Sequence, residues 1–491
     1  MYVTLNLLSI NTFLNYTPIF TLSSFLFGLI ITISSKVYYS NKDYYTSTVK
    51  FTMNLLLSVN FALILIKFLL QILLLNAHEN IINNSSIGEY ITFNWNFLGT
   101  SLLLLCYFTS MICLFYLGDR NLFENNITVY YFFFFLTATT TLVTTTNLLV
   151  MFLSFECIFL PSLYFVYKLG YVKKVDKTVY FLLLWTLFGS LLILFTLSYI
   201  FAITGTLNYI NLITIKFSKL ELTFIYIFLF IGYGIKIPLF PFHYWLTKVH
   251  VEAPAGFSIF LSGFLVKTAA YCFYYVHLLF SSDIVKLILI MWIIIGIVDS
   301  SVKMWNQLDI KKLIAFATIQ EMNMIMICLI LFNQININIT AIFFLLHGLL
   351  STYMFLLVDQ IQKRTQTRNI LELSGVGLLY PFLRNFIWFL LILFLGFPGT
   401  TKFIVEWHVG FLLVTLYHWL GFFAFFIALV MGGIGFTKCW FLILYGNINT
   451  ENTEKYKKVD LFKKDQLIFY TLIFFISLLT FLLILIKWIQ K

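Results

Sequence analysis

The sequence predicts an all-α polytopic membrane protein of about fourteen transmembrane helices, with two inverted five-helix repeats and with the seventh and twelfth helices broken. Three observations carry this. Of 491 residues, 61% are hydrophobic and only 10% are charged, too few polar side chains to cover the core of a soluble domain. Apolar stretches of about 20 residues, long enough to cross a bilayer, recur between polar runs. The basic residues alternate along those stretches, with odd-numbered connections outweighing even-numbered ones and the termini by about four to one, as the positive-inside rule produces.

Cutting the chain at its polar runs places spans near 16–35, 51–76, 97–117, 127–146, 148–168, 178–204, 222–247, 255–280, 284–302, 309–332, 337–360, 381–411, 413–445 and 466–488. Basic groups such as Lys173, Lys174 and Lys177, Lys363, Arg364 and Arg368, and Lys455 to Lys464 then fall on one side. That side is the matrix or cytoplasm, and both termini face the other way. Four segments follow: 1–126 with helices 1–3, 127–280 with a first five-helix repeat, 281–445 with a second, and 446–491 with an inner loop and helix 14.

Several function classes are excluded. The six cysteines lie inside apolar spans and none forms a CxxC, so an iron–sulfur or zinc site is not expected. No GxGxxG opens a helix after a strand, which removes a nicotinamide or flavin pocket. The net charge of +11 is distributed as topology signals rather than as a nucleic-acid surface. Met1–Tyr16 has no basic residue, so neither a signal peptide nor an Arg-rich transit peptide is expected. The abundance of Asn, Tyr and Lys, all with AT-rich codons, points to an organellar genome.

Along the chain, ionisable residues inside spans carry the chemistry. Lys67 sits within the second span, where a lipid-facing lysine that snorkels and an interhelical pair are both open. Glu156 lies near the centre of the fifth span, with Pro161 beyond it. A buried carboxylate requires a nearby cation or a role that uses its protonation change, and a neutral, hydrogen-bonded glutamic acid is the alternative. Lys236 lies in the seventh span and Lys267 in the eighth, each costing on the order of 3 kcal/mol at the bilayer centre unless it faces protein or water. Pro238 and Pro241 break the seventh span beside Lys236, and freed carbonyls at that depth are tolerated only beside protein or a wet cavity. His243 and His250 follow at the inner end as additional relay candidates, with an interfacial histidine bonded to a carbonyl as the plainer reading.

In the second half, Glu321 lies in the tenth span, His347 in the eleventh, and Glu406 and Lys438 follow the break at Pro398 and Gly399. Thr400 and Thr401 stand ready to satisfy carbonyls freed there. Glu156, Lys236 and Lys267 are separated by 80 and 31 residues (236 − 156, 267 − 236), and Glu321, Glu406 and Lys438 by 85 and 32 (406 − 321, 438 − 406). Duplicated broken helices at matching positions mark binding sites in inverted-repeat transporters. Glu321 and Lys438 are therefore expected to be counterparts of Glu156 and Lys267. Static readings remain: Lys438 snorkelling, and Glu321 paired with Lys311 or Lys312.

KIPLFPFHYWLTKVHVEAPAGFSIFLSGFLVKTAAY, from Lys236 to Tyr271, resembles the signature of the antiporter-like subunits of respiratory complex I, with HVEAP followed at helical distance by LVK. FECIFLPSLY, LDIKKLIAFATIQEM, LLHGLLSTYMF and GFPGTTKFIVEW resemble that family's fifth-, tenth-, eleventh- and twelfth-helix segments, so the resemblance covers about Leu148 to Trp407. Glu406 resembles the glutamate of one of the family's three subunits, the two sisters carrying lysine. Glu321 stands where the family often has histidine, and Lys402 where a small polar residue is usual.

The resemblance implies a proton-translocating membrane-arm subunit of NADH:ubiquinone oxidoreductase, in a mitochondrial inner membrane with both termini on the intermembrane-space side. Glu156 and Lys236 would form a switch, approach or separation of the pair changing how tightly the lysine holds its proton. Lys267 and His347 would carry the proton laterally, and Glu406 would hand it over. Flavin, iron–sulfur clusters and quinone are expected in other subunits and no cofactor or metal in this chain. Expected partners are the other membrane-arm subunits, especially the two sisters, and lipids including cardiolipin, with no nucleic acid. A subunit of a multi-subunit cation/proton antiporter and a scaffold with static ion pairs are the alternatives.

Overall fold

The computed structural model describes residues 42–73, 85–87, 91–93, 96–117, 126–170, 175–331, 337–447 and 459–489, with residues 21, 23, 24, 28, 30 and 456. The chain runs through α1 (Lys42–Leu73), an antiparallel ribbon of β1 (Ser85–Ile87) and β2 (Ile91–Phe93), α2 (Phe97–Leu117), α3 (Asn126–Thr144), α4 (Leu148–Leu169), α5 (Val175–Thr204) and the short α6 (Tyr209–Leu212). Then come α7 (Lys219–Lys236), α8 (Tyr244–Glu252), α9 (Ala255–Phe260), a π-helical turn at Leu261–Leu265, α10 (Val266–Phe280), α11 (Asp283–Met304), α12 (Ile310–Leu331) and α13 (Ile337–Thr365). The chain closes with α14 (Val376–Leu379), α15 (Pro381–Phe394), α16 (Thr401–Phe426), a second π-helical turn at Ile427–Gly432, α17 (Gly433–Tyr445) and α18 (Lys463–Ile489). The span expected at 16–35 falls almost wholly outside the described residues.

Ten helical stretches among the described residues are long and apolar enough to cross a membrane. One of them, Thr401–Tyr445, doubles back. His418 has φ 47° and ψ −120°, outside helical geometry. A Cβ on Gly421 would lie 2.1 Å from the Leu413 carbonyl oxygen, and one on Gly410 would lie 2.5 Å from the Phe425 ring. In a straight helix Gly410 and Phe425 would be about 22 Å apart at 1.5 Å per residue, so the chain reverses at His418. The boundary expected between 411 and 413 therefore moves to 418.

The layers follow from which helices are apolar all round. The spans Ala255–Phe280, Ile310–Leu331 and Asn338–Thr365 are buried within the chain over most of their length, whereas Val175–Thr204 and Asp283–Met304 bury less than half of their residues. Outer helices expose large apolar side chains such as Leu191, Phe195 and Trp419, which in a bilayer meet lipid rather than water. The ionisable residues Lys267, Glu321 and His347 sit on the three central helices, and all three are buried.

Close approach at the centre uses small residues. A Cβ on Gly348 of α13 would lie 2.2 Å from Leu105 Cδ1 and 2.8 Å from the Gly263 carbonyl. Without a hydrophobic drive between helices in lipid, such small-residue contacts carry the packing. Gly348→Ala is expected to cost about 1–3 kcal/mol, as overpacking of a filled core does, read as a lowered melting temperature of the detergent-solubilised protein. An unchanged melting temperature would show that α2 and α13 can part at no cost.

Candidate functional site

The first broken helix explains itself through its carbonyls. α7 begins with a capping box, Ser218 and Glu221 exchanging bonds with each other's backbone N–H, and ends at Lys236 where Pro238 stops it. The break would leave carbonyls unpaired at membrane depth, a cost of several kcal/mol each. Two tryptophans supply donors: Trp245 Nε1 donates to the Ile235 carbonyl at 2.8 Å, and Trp292 Nε1 to the Phe240 carbonyl at 2.5 Å.

At this C-terminal end Lys236 Nζ donates to Glu156 Oε1 of α4 in a close ion pair. The lysine side chain is 3% exposed and the glutamate 27%, so Glu156 is the member that reaches towards the edge of the chain. The ammonium also lies 4.2 Å from the centre of the Phe155 ring, a cation–π contact that favours a desolvated charge. Its position at the end of α7 places it on the negative end of the helix dipole.

Lys267 is fully buried one residue into α10, and its Nζ donates to the Ser262 carbonyl. The π-helical turn at Leu261–Leu265 makes this contact available, since i→i+5 geometry displaces carbonyls from the α ladder. Ser262 contributes its backbone, while its hydroxyl donates to Ser258 O at 2.9 Å. His347 of α13 is buried, with neither ring nitrogen bonded to protein among the described residues. It lies within the field of both Lys267 and Lys402, and Lys267 within that of Glu321.

The second break holds a cluster that the spacing did not single out. Lys402 Nζ forms a close ion pair with Glu321 Oε1 and lies 3.3 Å from Glu406 Oε1 on its own helix, so Lys402 stands to Glu321 as Lys236 stands to Glu156, a place the spacing had given to Glu406. It also donates to the Phe394 carbonyl at 2.6 Å, at the end of α15, and sits 3.9 Å from the Phe394 ring centre. Glu321, Lys402 and Glu406 are all buried. Lys438 is exposed on α17, 5.7 Å from the Trp305 ring centre, because its side of the helix faces out of the chain. Lys311 does not reach Glu321 either, since its Nζ donates to the Ala253 carbonyl at 2.9 Å. The overlooked signal was a spacing: Glu321 to Lys402 is 81 residues (402 − 321), against 80 for Glu156 to Lys236 (236 − 156).

Other expectations resolve one by one. Thr400 satisfies the Phe397 carbonyl at 2.8 Å and caps α16 by accepting from Phe403 N, but the Thr401 hydroxyl has no partner among the described residues. Pro398 and Gly399 lie in the gap between α15 and α16, Gly399 with φ 99°. Pro241 lies between α7 and α8. His243 Nε2 is 3.4 Å from an Asp299 carboxylate oxygen and 3.2 Å from Lys303 Nζ, forming a cluster beyond the first break that the sequence did not single out. His250 is buried against the Phe355 ring, 4.6 Å between centres, with both ring nitrogens unbonded to protein among the described residues. Lys67 is buried within the chain, which removes the lipid-facing alternative.

Fold and site together define a polytopic helical membrane protein whose buried ionisable groups gather at two helix breaks. Residues 145–432, more than half of the chain, match the family described as NADH:quinone oxidoreductase/Mrp antiporter, transmembrane, and the chain belongs to that family. A Paramecium tetraurelia protein named NADH-ubiquinone oxidoreductase chain 4 is 39% identical over 299 residues, 61% of this chain and 63% of that one. The match thus spans less than two thirds of the relative's length. Among solved structures, a chain of respiratory complex I from Thermus thermophilus superposes with a TM-score of 0.77 at 17% identity, over 94% of this chain and 95% of that one. A chain of the Mrp complex from Dietzia sp. also gives 0.77, at 15% identity, over 89% and 81%. Both show the same fold.

The indole bonds give a test of the first break. Trp245→Phe keeps the ring and removes one donor, leaving the buried Ile235 carbonyl unpaired at a cost of about 1–3 kcal/mol. Ser262→Ala keeps the carbonyl that holds Lys267 and is expected to lose less than about 1 kcal/mol. Thermal melting of the two purified variants checks the order, which fails if Ser262→Ala proves the more damaging.

Proposed function

We propose that this chain is a proton-translocating membrane-arm subunit of an NADH:ubiquinone oxidoreductase, the counterpart of the relatives named chain 4, and that it works in the mitochondrial inner membrane. The observation that carries the reading is the Glu156–Lys236 pair at a helix break, its lysine buried and its glutamate partly open, inside the stretch that defines the family. Two charges in a low-dielectric interior hold each other, and removing one partner leaves the other uncompensated. Moving α4 against α7 does the same without a mutation: as Glu156 withdraws, nothing of opposite sign holds the ammonium, and Lys236 passes its proton on.

Lys267 and His347 continue the line across the central helices. Neutral imidazole accepts at one nitrogen and donates at the other, which suits His347, whose two ring nitrogens are not tied to protein among the described residues. Glu406 receives the proton at the second break and hands it towards the next subunit. Each charge moved across the membrane works against about 2.3 kcal/mol per 100 mV. This energy has to enter through neighbouring subunits, where the flavin, the iron–sulfur clusters and the quinone would reside; the two sister subunits and membrane lipids, cardiolipin among them, complete the surroundings.

The fold likeness to the Mrp complex supports a second reading, a subunit of a multi-subunit cation/proton antiporter. The named relative favours the oxidoreductase, and co-purification with flavin and iron–sulfur subunits separates the two. The reading itself is tested with Lys236→Ala in the reconstituted complex, assembly being checked on a native gel. Protons translocated per NADH oxidised are expected to fall by about tenfold or more, the scale of losing a positioned proton-transfer group. Full assembly with full pumping would reduce the pair to a static strut.

A further inference from the structure

Pro238 and Pro398 stand 160 residues apart (398 − 238), and the same offset carries Lys236 to Gly396 (236 + 160). Gly396 has no side chain, but the space beside it is taken. A Cβ there would lie 3.0 Å from Glu406 Oε2 and 3.7 Å from Lys402 Cγ. An ammonium is thus retained at the end of the half-helix before the break, supplied from six residues further on. The environments match: Lys236 ends α7 and lies 4.2 Å from the Phe155 ring centre, while Lys402 donates to the last carbonyl of α15 and lies 3.9 Å from the Phe394 ring centre.

The second site differs in its charge count. Lys402 faces two carboxylates, Glu321 on α12 and Glu406 one turn along its own helix. Fully ionised, the triad carries one excess negative charge in a buried place, which is costly unless one more positive charge joins it. Next to the three side chains is a cavity of about 20 Å3, lined also by Gln320, Met324 and Leu395, against the roughly 10–15 Å3 that one water needs.

We propose that Lys402 is the positioning residue of a second proton-loading site, moving between Glu321 and Glu406 so that the carboxylate it leaves takes up one proton. The proposal rests on the proton-translocating reading. In the arrangement seen, Lys402 sits closer to Glu321. When it gives up the 3.3 Å contact to Glu406, a proton arriving from the His347 side forms an O–H bond on Glu406. When the ammonium returns, that O–H bond breaks and the proton leaves by way of the water-sized cavity. Lys402 keeps its own protons throughout, so the cycle moves one proton and creates no net charge.

The test compares complexes carrying Lys402→Met, Lys402→Arg and the charge-balanced double change Lys402→Met with Glu321→Gln, beside Lys236→Ala, in vesicles with proton translocation followed per turnover across pH. Lys402→Met is expected to lose about tenfold or more of the translocation, with a displaced pH profile in what remains and partial recovery in Lys402→Arg. Wild-type translocation with an unmoved pH profile overturns the proposal. If Lys402→Met fails to assemble, the double variant decides, since it removes the switch without stranding an extra buried charge: translocation retained overturns, translocation lost supports. A rate that follows sodium concentration at fixed pH overturns it as well, because the site then loads a metal ion. Loss in Lys236→Ala with full activity in Lys402→Met defeats this proposal alone, whereas full activity in both defeats the reading beneath it.

Discussion

The structure depends on one constraint: inside a bilayer, every charge and every freed backbone group must find its partner within the chain. Two broken helices create the largest demands, and each is met from outside its own ladder. Trp245 and Trp292 bond the carbonyls left by the first break, while Lys402 and Thr400 bond those left by the second. The lysines gather where they do for the same reason. A half-helix C-terminus presents carbonyl oxygens and the negative end of a dipole, and a carboxylate from a neighbouring helix completes the neutralisation.

Placement of the charges within the bundle follows from that demand. The central helices α10, α12 and α13 are buried over most of their length and are held close by residues such as Gly263 and Gly348, so a charge in their middle, such as Lys267 or Glu321, meets protein. Lys267 answers this with a carbonyl displaced by a π-helical turn. A second π-helical turn has a comparable use, since its Ala428 carbonyl accepts from Gln320 Nε2 at 2.7 Å and its Met431 carbonyl from Trp305 Nε1 at 2.8 Å. Local irregularity in the helices is thus spent on holding polar groups at depth, as such turns often are at functional sites.

The ion pairs at the two breaks are built to be unequal. Glu156 is partly open at the edge of the chain and has one lysine to itself, so its pair responds to whatever lies outside. Glu321 and Glu406, both buried, compete for one lysine, so that cluster responds to the arrival of a positive charge. His347 lies in the field of both Lys267 and Lys402, and its imidazole has no protein partner among the described residues.

The sequence by itself determined the class and most of the ionisable residues of the site, because membrane helices are set by local quantities: about 20 apolar residues per span and prolines at the breaks. Glu156, Lys236, Lys267, Glu321, His347 and Glu406 were legible as isolated charges in apolar runs for the same reason. What only the tertiary structure decided was which charge meets which. Lys402, not Lys311, met Glu321; Asp299 and Lys303 gathered around His243; and the twelfth and thirteenth spans parted at His418 rather than near Leu412. Those outcomes depend on the rotation of each helix about its own axis and on the path of the chain through its breaks, and no count of residues between two charges contains either.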